Sequence, residues 1–342
     1  MNILFIMYPW EKVEPETDST IRMVHECVSR GHTVALATVH NLTMRESTAM
    51  AFCQVFDQHE PTPAKVVTFY KKAKFRKVKL PLAGFDAIIM RSNPPLNVTA
   101  LNFLDSVRDD VFIMNDIDGL RIANNKLYTS SFDDPDNRFI PKTYVSKTPE
   151  YLESVLKNSE SGKMIMKPLD GYGGHGVIMV EKQAIASFSS LLDFYINSSE
   201  KGNYVILQEY VEGADQGDVR ILMLNGQPIG AMKRVPATGD LRSNVHAGGT
   251  VQKHHLTQTE KDLCRLIGPK LVRDGLYFVG IDVINGKLIE VNVLSPGGIM
   301  RINKLNRVKL QTKIIDFVEG VAKRKRNISA RKAEFLEAMK DV

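Results

Sequence analysis

Residues 279–295, VGIDVINGKLIEVNVLS, carry two carboxylates and an amide at spacings that suit a metal ion. Two apolar runs flank Asn285-Gly286, a strong hairpin signal. Ile281, Val283, Ile289, Val291 and Val293 share one parity across both runs, and Asp282, Glu290 and Asn292 share the other. If the apolar set faces a core, the two acids and the amide emerge together, as a hard divalent cation requires. A half-exposed hairpin with a polar wet side gives the same pattern. A two-residue loop would pair Ile284 with Lys287 and throw Asp282 onto the face opposite Glu290. The pattern therefore predicts a three-residue loop, with Gly286 left-handed, or an equivalent bulge.

Two glycine clusters offer anion chemistry. Leu169-Asp-Gly-Tyr-Gly-Gly-His-Gly176 lies between strand signals at 163–168 and 177–180. No Gly-Lys-Ser/Thr ends it, and a strand follows where a dinucleotide loop needs a helix. It reads as a flap whose N–H groups can close over phosphates, or as a plain structural turn. Lys167, just before it, can reach phosphate oxygens as a mobile point charge. In Arg242-Ser-Asn-Val-His-Ala-Gly-Gly249, an arginine, an amide and a double glycine suit an anion site. His246 has no visible partner and reads as a loop histidine more readily than as a general base.

The elements that must position these groups follow from periodicity. A strand at 3–7, a helix from the N-cap candidates Asp18, Ser19 and Thr20 to about Arg30, and a strand at 33–39 open a parallel α/β lobe. Ile21, Val24, Cys27 and Val28 share one face of that helix. A strand at 85–90 ends in Arg91-Ser-Asn-Pro-Pro95, leaving Arg91 where open α/β sheets bind ligands. A short helical segment begins at Asn124-Asn-Lys126. Strands at 143–145 and 205–211, helices at 149–156 and 185–196, and a hairpin of 218–224 with 228–234 about Asn225-Gly226 follow. An amphipathic helix spans 259–273 and another lies near 309–321. The last twenty residues look like a polar helical extension.

The chain has 342 residues, 43% hydrophobic and 25% charged, which is ordinary globular composition with room for two or three lobes. No apolar run approaches the roughly 18 residues of a membrane span. Residues 1–7 read as a first strand, without the basic start of a signal peptide. Cys27, Cys53 and Cys264 fit no metal or redox spacing and imply buried thiols in a reducing compartment, the cytoplasm. Of the net charge of +6, much sits in a run at 71–79 and another at 323–326. Either can track nucleic acid phosphates, but a solvated loop and a polar tail account for them more simply.

In order, Asp18-Ser-Thr20, Met90-Arg-Ser-Asn-Pro-Pro95, Asn125-Lys126, Met166-Lys-Pro-Leu-Asp-Gly171, Gln208-Glu-Tyr-Val211, Gly217-Asp-Val-Arg220, Arg234, Arg242-Ser-Asn244, Ala247-Gly-Gly249, Gly268-Pro269, Phe278-Val-Gly-Ile-Asp282, Glu290-Val-Asn292 and Ser295-Pro296 resemble the ATP-grasp superfamily and, within it, the bacterial glutathione synthetases. The resemblance covers nearly the whole chain. It implies an α/β ATP-grasp fold in which an N-terminal parallel α/β domain (1–122, substrate) precedes two α+β lobes clamping ATP. These are a central lid (123–207) and a catalytic lobe (208–322), with a basic polar tail at 323–342.

The resemblance also implies roles. Lys126 and Lys167 would contact phosphates under a flap of Gly171, Tyr172, Gly173, Gly174, His175 and Gly176. Gln208, Glu209, Tyr210 and Val211 would lie beside adenine, and Asp218 would hold the ribose. Asp282, Glu290 and Asn292 would hold two magnesium ions, with manganese an alternative. Arg220 and Arg234 would serve catalysis. Asp18, Ser19, Arg91, Arg242, Asn244, Gly248, Gly249 and Ser295 would bind a γ-glutamylcysteine-like peptide or close its site. The implied reaction is ADP-forming ligation of that peptide to a small amino acid, glycine, through an acylphosphate, in a homo-oligomer (dimer or tetramer). Asn93 and Gly297-Gly298 depart from the family pattern on the acceptor side, so a related ligase with another peptide or acceptor stays open. So does a non-catalytic ATP-binding protein.

Overall fold

Near-continuous apolar runs make buried parallel strands, and the first 121 residues use them that way. A computed structural model of the chain describes residues 1–57, 61–169, 176–197, 202–236 and 249–339. Its strands are β1 (Asn2–Met7), β2 (Thr33–Ala37), β3 (Leu42–Arg45), β4 (Thr48–Phe56), β5 (Phe75–Pro81), β6 (Ala87–Arg91), β7 (Phe112–Met114), β8 (Thr143–Ser146), β9 (Lys163–Pro168), β10 (Ile178–Glu181), β11 (Val205–Glu209), β12 (Asp218–Leu224), β13 (Gln227–Val235), β14 (Thr250–Lys253), β15 (Phe278–Ile284) and β16 (Lys287–Asn292). The helices are α1 (Ser19–Ser29), α2 (Val66–Lys72), α3 (Val98–Asp105), α4 (Ile117–Ala123), α5 (Pro149–Lys157), α6 (Ile185–Ile196), α7 (Gln258–Arg273), α8 (Ile299–Asn306) and α9 (Leu310–Ala338). The chain divides into two units, one of Met1–Arg121, Leu271–Val279 and Val293–Val342, the other of Ile122–Lys270 and Gly280–Asn292.

In the first unit the sheet order is β3-β4-β2-β1-β6-β7, with β5 also on β4. β1 is parallel to both β2 and β6, so the chain leaves β1 for one neighbour and returns for the other. The strand C-termini on either side of β1 are thus where ligands gather. Asp18 caps α1 by accepting from the Ile21 N–H at 2.7 Å, and Gly31 ends the helix at φ +79°. Ile21, Met23, Val24 and Cys27 of α1 are fully buried. The basic run at 71–79 is not a loop. It finishes α2 and then forms β5, in which Lys77 and Lys79 are exposed. Edge strands take lysine because charge there blocks pairing with other chains. The helix expected near 309–321 continues to Ala338. Its tail is anchored as far as Lys325, which donates to the Arg108 carbonyl, and Arg326, 3.5 Å from Asp86. The three cysteines are free and buried. No described helix is long and apolar enough to cross a membrane.

The second unit holds two sheets, β10-β9-β11-β8, antiparallel throughout, and β14-β13-β12-β15-β16. The first packs Met164, Met166, Val205 and Leu207 against α5 and α6 through Leu152, Leu156, Phe188 and Leu192. The second is built from two hairpins of the same design. Asn225-Gly226 and Asn285-Gly286 each have φ positive at both residues (48° and 75°, 46° and 76°). That is a two-residue type I′ turn, whose twist suits the strands it joins. The three-residue loop at 284–286 does not form, and Ile284 pairs with Lys287. The phase is corrected by the alternative, a bulge. The register steps from Val283↔Leu288 to Asp282↔Glu290, leaving Ile289 over. Leu288 therefore joins the core at 0% exposure in place of Ile289. The other hairpin repeats the slip between Leu222 and Met223, leaving Ile229 over.

Both turns rest on α7. A Cβ on Gly286 would meet the Thr259 methyl at 2.7 Å, and one on Gly268 would run into the Gly226 carbonyl oxygen. Helix propensity alone says that Gly268→Ala in α7 should stabilise by about 1 kcal/mol. Because the collision is with backbone, we expect the opposite sign, a loss of about 1–3 kcal/mol. Thermal or urea unfolding of the variant decides it, and a gain in stability would refute the packing account.

Candidate active site

Antiparallel register places the acids. Asp282 lies opposite Glu290, and Asn292 opposite Gly280, so the three side chains share one face of β15 and β16. Asp282 is buried, and two arginines reach it from the same sheet. Arg220 on β12 forks onto it, Nε to Oδ1 at 2.5 Å and Nη2 to Oδ2 at 2.9 Å. Arg234 on β13 reaches Oδ1 at 3.0 Å while forking onto Asp218 at 2.6 and 2.7 Å. Asn292 donates its amide N–H to Asp282 Oδ2 at 3.2 Å. Burial pushes the Asp282 carboxyl up, but the two guanidiniums outweigh it and hold it at about 2. Burial and the Asp282 charge push Asp218 up despite Arg234. The Asp218 side chain, expected at a ribose, is thus joined to the arginine and metal-ligand candidates. Its approach needs Gly217, at φ +99°, whose Cβ would collide with the Arg234 carbonyl oxygen.

Lys167 sits on β9, buried at 7% exposure, with its ammonium 2.7 Å from Gln208 Oε1 on β11. Desolvation lowers its pKa to about 8, though Glu290 pulls the other way. The Gln208 amide N–H donates to Thr143 Oγ1 at 3.0 Å, and the Thr143 hydroxyl donates to the Pro141 carbonyl at 2.8 Å. With that proton spent, the hydroxyl oxygen must accept, so the Gln208 carbonyl must face the lysine. Thr143 thereby fixes the amide that fixes the lysine. In sequence it was only a strand residue, and only its register opposite Gln208 marks it. Lys126 begins a 3₁₀ turn capped by Asn125, and its charge acts on Glu290 together with that of Lys167. Burial nonetheless raises the Glu290 pKa. Glu209 closes β11, accepting from the Lys142 N–H at 3.2 Å, with Tyr210 and buried Val211 just beyond.

These groups fit a hard divalent cation: two carboxylates and an amide oxygen on one face, with cations already drawn to Asp282. A metal there must displace guanidinium contacts from Asp282 and turn the Asn292 amide. Lys126, Lys167, Gln208, Asp218, Arg220, Arg234, Asp282, Glu290 and Asn292 all belong to the second unit.

The substrate candidates Asp18, Ser19, Arg91 and Ser295 belong to the first unit. Arg91 is buried, with Nε to Thr20 Oγ1 at 3.0 Å, Nη2 to the Pro296 carbonyl at 3.1 Å and its guanidinium 5.9 Å from the Phe278 ring centre. Burial lowers its pKa to about 10 against the pull of Asp18. Its Nη1 is buried with no partner among the described residues. Ser19 Oγ accepts from the Gly298 and Ile299 N–H groups at 3.0 and 3.1 Å, capping α8. Asp18 accepts from the Tyr8 hydroxyl as well as from Ile21. Ser295 donates weakly to the Arg91 carbonyl at 3.4 Å. Gly176 lies at φ +70°, its carbonyl accepting from Tyr195 at 3.3 Å, and Gly249 is buried just before β14. Gly171, Tyr172, Gly173, Gly174, His175, Arg242, Asn244, His246 and Gly248 lie outside the described residues.

Comparison with known proteins matches this chain to two family descriptions. They are prokaryotic glutathione synthetase, N-terminal domain, over residues 1–121, and prokaryotic glutathione synthetase, ATP-grasp domain, over 125–307. A glutathione synthetase of Gloeobacter violaceus is 36% identical over 332 residues, covering 93% of this chain and 96% of the relative. One from Thermosynechococcus vestitus is 33% identical, covering 92% and 98%. Among solved structures, a D-cycloserine synthetase matches with TM-score 0.60 at 15% identity, covering 94% of this chain and 99% of its own. The ATP-grasp ligase PsnB, complexed with a phosphomimetic variant of its minimal precursor, Mg and ADP, matches at 0.58 and 17%, covering 94% and 98%. These two establish the ATP-grasp fold.

Two outcomes are expected around Lys167. Thr143→Val should release the Gln208 amide and cost about 1 kcal/mol of hydrogen bonding, a roughly five-fold rise in KM for ATP with kcat near normal. Thr143→Ser should restore it, and equal losses from both variants would mean a packing defect instead. As pH rises through about 8 the Lys167 ammonium loses its proton. A plot of kcat/KM for ATP should therefore fall above that pH, and Lys167→Arg should remove the fall.

Proposed function

This chain belongs to the prokaryotic glutathione synthetase family, and from that premise we propose that it is an ATP-dependent, ADP-forming ligase that makes glutathione from γ-glutamylcysteine and glycine. The observation that carries the reading is the single-face set of Asp282, Glu290 and Asn292 with Arg220 and Arg234 drawn onto it. A nucleotide-binding protein without chemistry has no need for two arginines drawn onto a metal-ligand candidate.

Free carboxylate is a poor acylating agent because its leaving group would be oxide. In the proposed reaction the peptide's glycine-accepting carboxylate attacks the γ-phosphorus of ATP, the bond to the β–γ bridging oxygen breaks, and ADP leaves. The glycine amine then attacks the acyl carbon, inorganic phosphate departs with the C–O electron pair, and the ammonium loses its proton to solvent. Lys126 and Lys167 hold phosphates. Gly171, Tyr172, Gly173, Gly174, His175 and Gly176 cover them, and Gln208, Glu209, Tyr210 and Val211 bracket the adenine. Asp218 as the ribose ligand requires it to release Arg234. Asp282, Glu290 and Asn292 would hold magnesium, which when bound neutralises phosphate charge. Arg220 and Arg234, released from Asp282, offer guanidinium to the charge that builds on the transferring phosphoryl group. Asp18, Ser19, Arg91, Arg242, Asn244, Gly248, Gly249 and Ser295 bind the peptide or close over it. We place the protein in the cytoplasm as a homo-oligomer.

One observation favours a second reading. A Cβ on Gly297, one of the two glycines that depart from the family pattern, would meet nothing within 4 Å among the described residues. Open space at that position suits an acceptor larger than glycine.

ADP release measured with γ-glutamylcysteine across a panel of amino acids separates the two readings. Glycine preference of tenfold or more supports the first, and a preference for serine or alanine supports the second. No ADP release with any acceptor defeats both. Arg234→Lys should lower kcat by on the order of 10³ while ATP binding by calorimetry stays within a few-fold. Lysine is chosen because Arg234→Ala would also leave Asp218 and Asp282 short of a buried counter-ion, at about 3–5 kcal/mol.

A further inference from the structure

We propose that the N-terminal unit carries a second small-molecule site, for an acidic peptide with two carboxylates and a free α-amino group. The site is an open pocket of about 430 Å³ at the C-terminal ends of β1 and β2, lined by Trp10, Glu11, Phe52, Gln54, Lys77 and Lys79 among others. Ligands of open α/β sheets gather at those strand ends, and the volume lies within the range of small-molecule sites.

Strand register builds the floor. Gln54 pairs with Lys77, Phe52 with Lys79, and Phe56 with Phe75, so all six share one face of the β4–β5 ribbon. Lys77 and Lys79 are two residues apart on one strand, which spaces their Cα atoms by about 7 Å. Both are exposed, and the Lys79 ammonium lies 5.9 Å from the Phe52 ring centre. Trp10 forms the wall, edge-on to Phe56 and Phe75 at 5.5 and 5.3 Å and tilted on Tyr70 at 4.9 Å. Phe52 is 56% exposed in this concave surface, so its ring face is open to an occupant. Glu11 adds one anion at the rim.

Two cations, one anion and an aromatic floor complement a molecule with two carboxylates, one ammonium and a compact apolar or thiol-bearing body. γ-Glutamyl peptides have that constitution, so the inference rests on the reading that this chain handles them. The pocket also touches the proposed peptide site. Tyr8 lines it and donates its hydroxyl to Asp18, so an occupant there would bear on Asp18 without contacting it.

Trp10 is the chain's only tryptophan, which makes its emission a direct reporter of the pocket. Glutathione titrated into the full-length protein without nucleotide should change that emission saturably. Lys77→Glu/Lys79→Glu, or the milder Lys77→Ala/Lys79→Ala, should weaken the response at least tenfold while turnover at saturating substrates stays within twofold. Glu11→Gln should weaken binding of glutathione but not of its N-acetyl derivative. No saturable change in a protein that turns over γ-glutamylcysteine would overturn the site. So would a response that survives both lysine pairs but vanishes in Arg91→Ala. If the protein neither responds to glutathione nor turns over γ-glutamylcysteine, the functional reading has failed along with the pocket.

Discussion

The second unit is organised around charges held in its interior. Asp218 and Asp282 face Arg220 and Arg234, all four nearly buried. Glu290 is balanced in part by Lys126 and Lys167. Such an arrangement is a poor way to stabilise a fold. Replacing a buried ionic cluster by well-packed apolar groups is often neutral or favourable, whereas removing one partner costs several kcal/mol. Its presence therefore argues for a use beyond packing. A carboxylate held at about 2 stays ionised at any physiological pH and is ready for a cation. The guanidiniums keep that charge tolerable in the interior, and a harder cation bound there would free them for other anions.

Backbone geometry makes the cluster possible. A type I′ turn is the natural closure for Asn-Gly, but by itself it would put Asp282 and Glu290 on opposite faces. The unpaired Ile289 shifts the phase by one residue and returns both acids to one side. The neighbouring hairpin spends Ile229 in the same way, so that Asp218 lies directly opposite Arg234. A bulge costs ladder hydrogen bonds. Two bulges at equivalent places, each a few residues from an ionic group, fit a sheet that gives up some regularity to aim side chains.

Parity made the shared face of Asp282, Glu290 and Asn292 legible in sequence, because a period of two across an Asn-Gly turn leaves few choices for the acids. Capping chemistry likewise marked the start of α1, which does begin at Ser19. What the pattern could not carry was partnership between distant strands. Nothing local says that Asp218 meets Arg234, that Thr143 orients Gln208, or that Leu288 rather than Ile289 enters the core. Each depends on register, which is set by bulges and by α7 beneath the turns. The strands β3, β4 and β5 are not legible in the pattern for a related reason. Their exposed residues include Arg45, Arg76, Lys77 and Lys79, and such basic edge positions look like loop until a partner strand pairs with them.

The first unit divides its polar groups differently. Asp18 is committed to the Ile21 N–H and the Tyr8 hydroxyl, and Ser19 to the N-terminus of α8. Both are helix-end groups, and a substrate contact from either competes with a cap worth about 1 kcal/mol. Arg91 is the exception. Two of its nitrogens are held by Thr20 and Pro296 while Nη1 is buried without a partner among the described residues. An unsatisfied buried donor costs about 1–3 kcal/mol, more when charged. A carboxylate that accepted from Nη1 would remove that penalty. Among Asp18, Ser19 and Arg91, Arg91 is thus the one whose polar capacity the fold leaves unspent, while Asp18 and Ser19 hold helix ends.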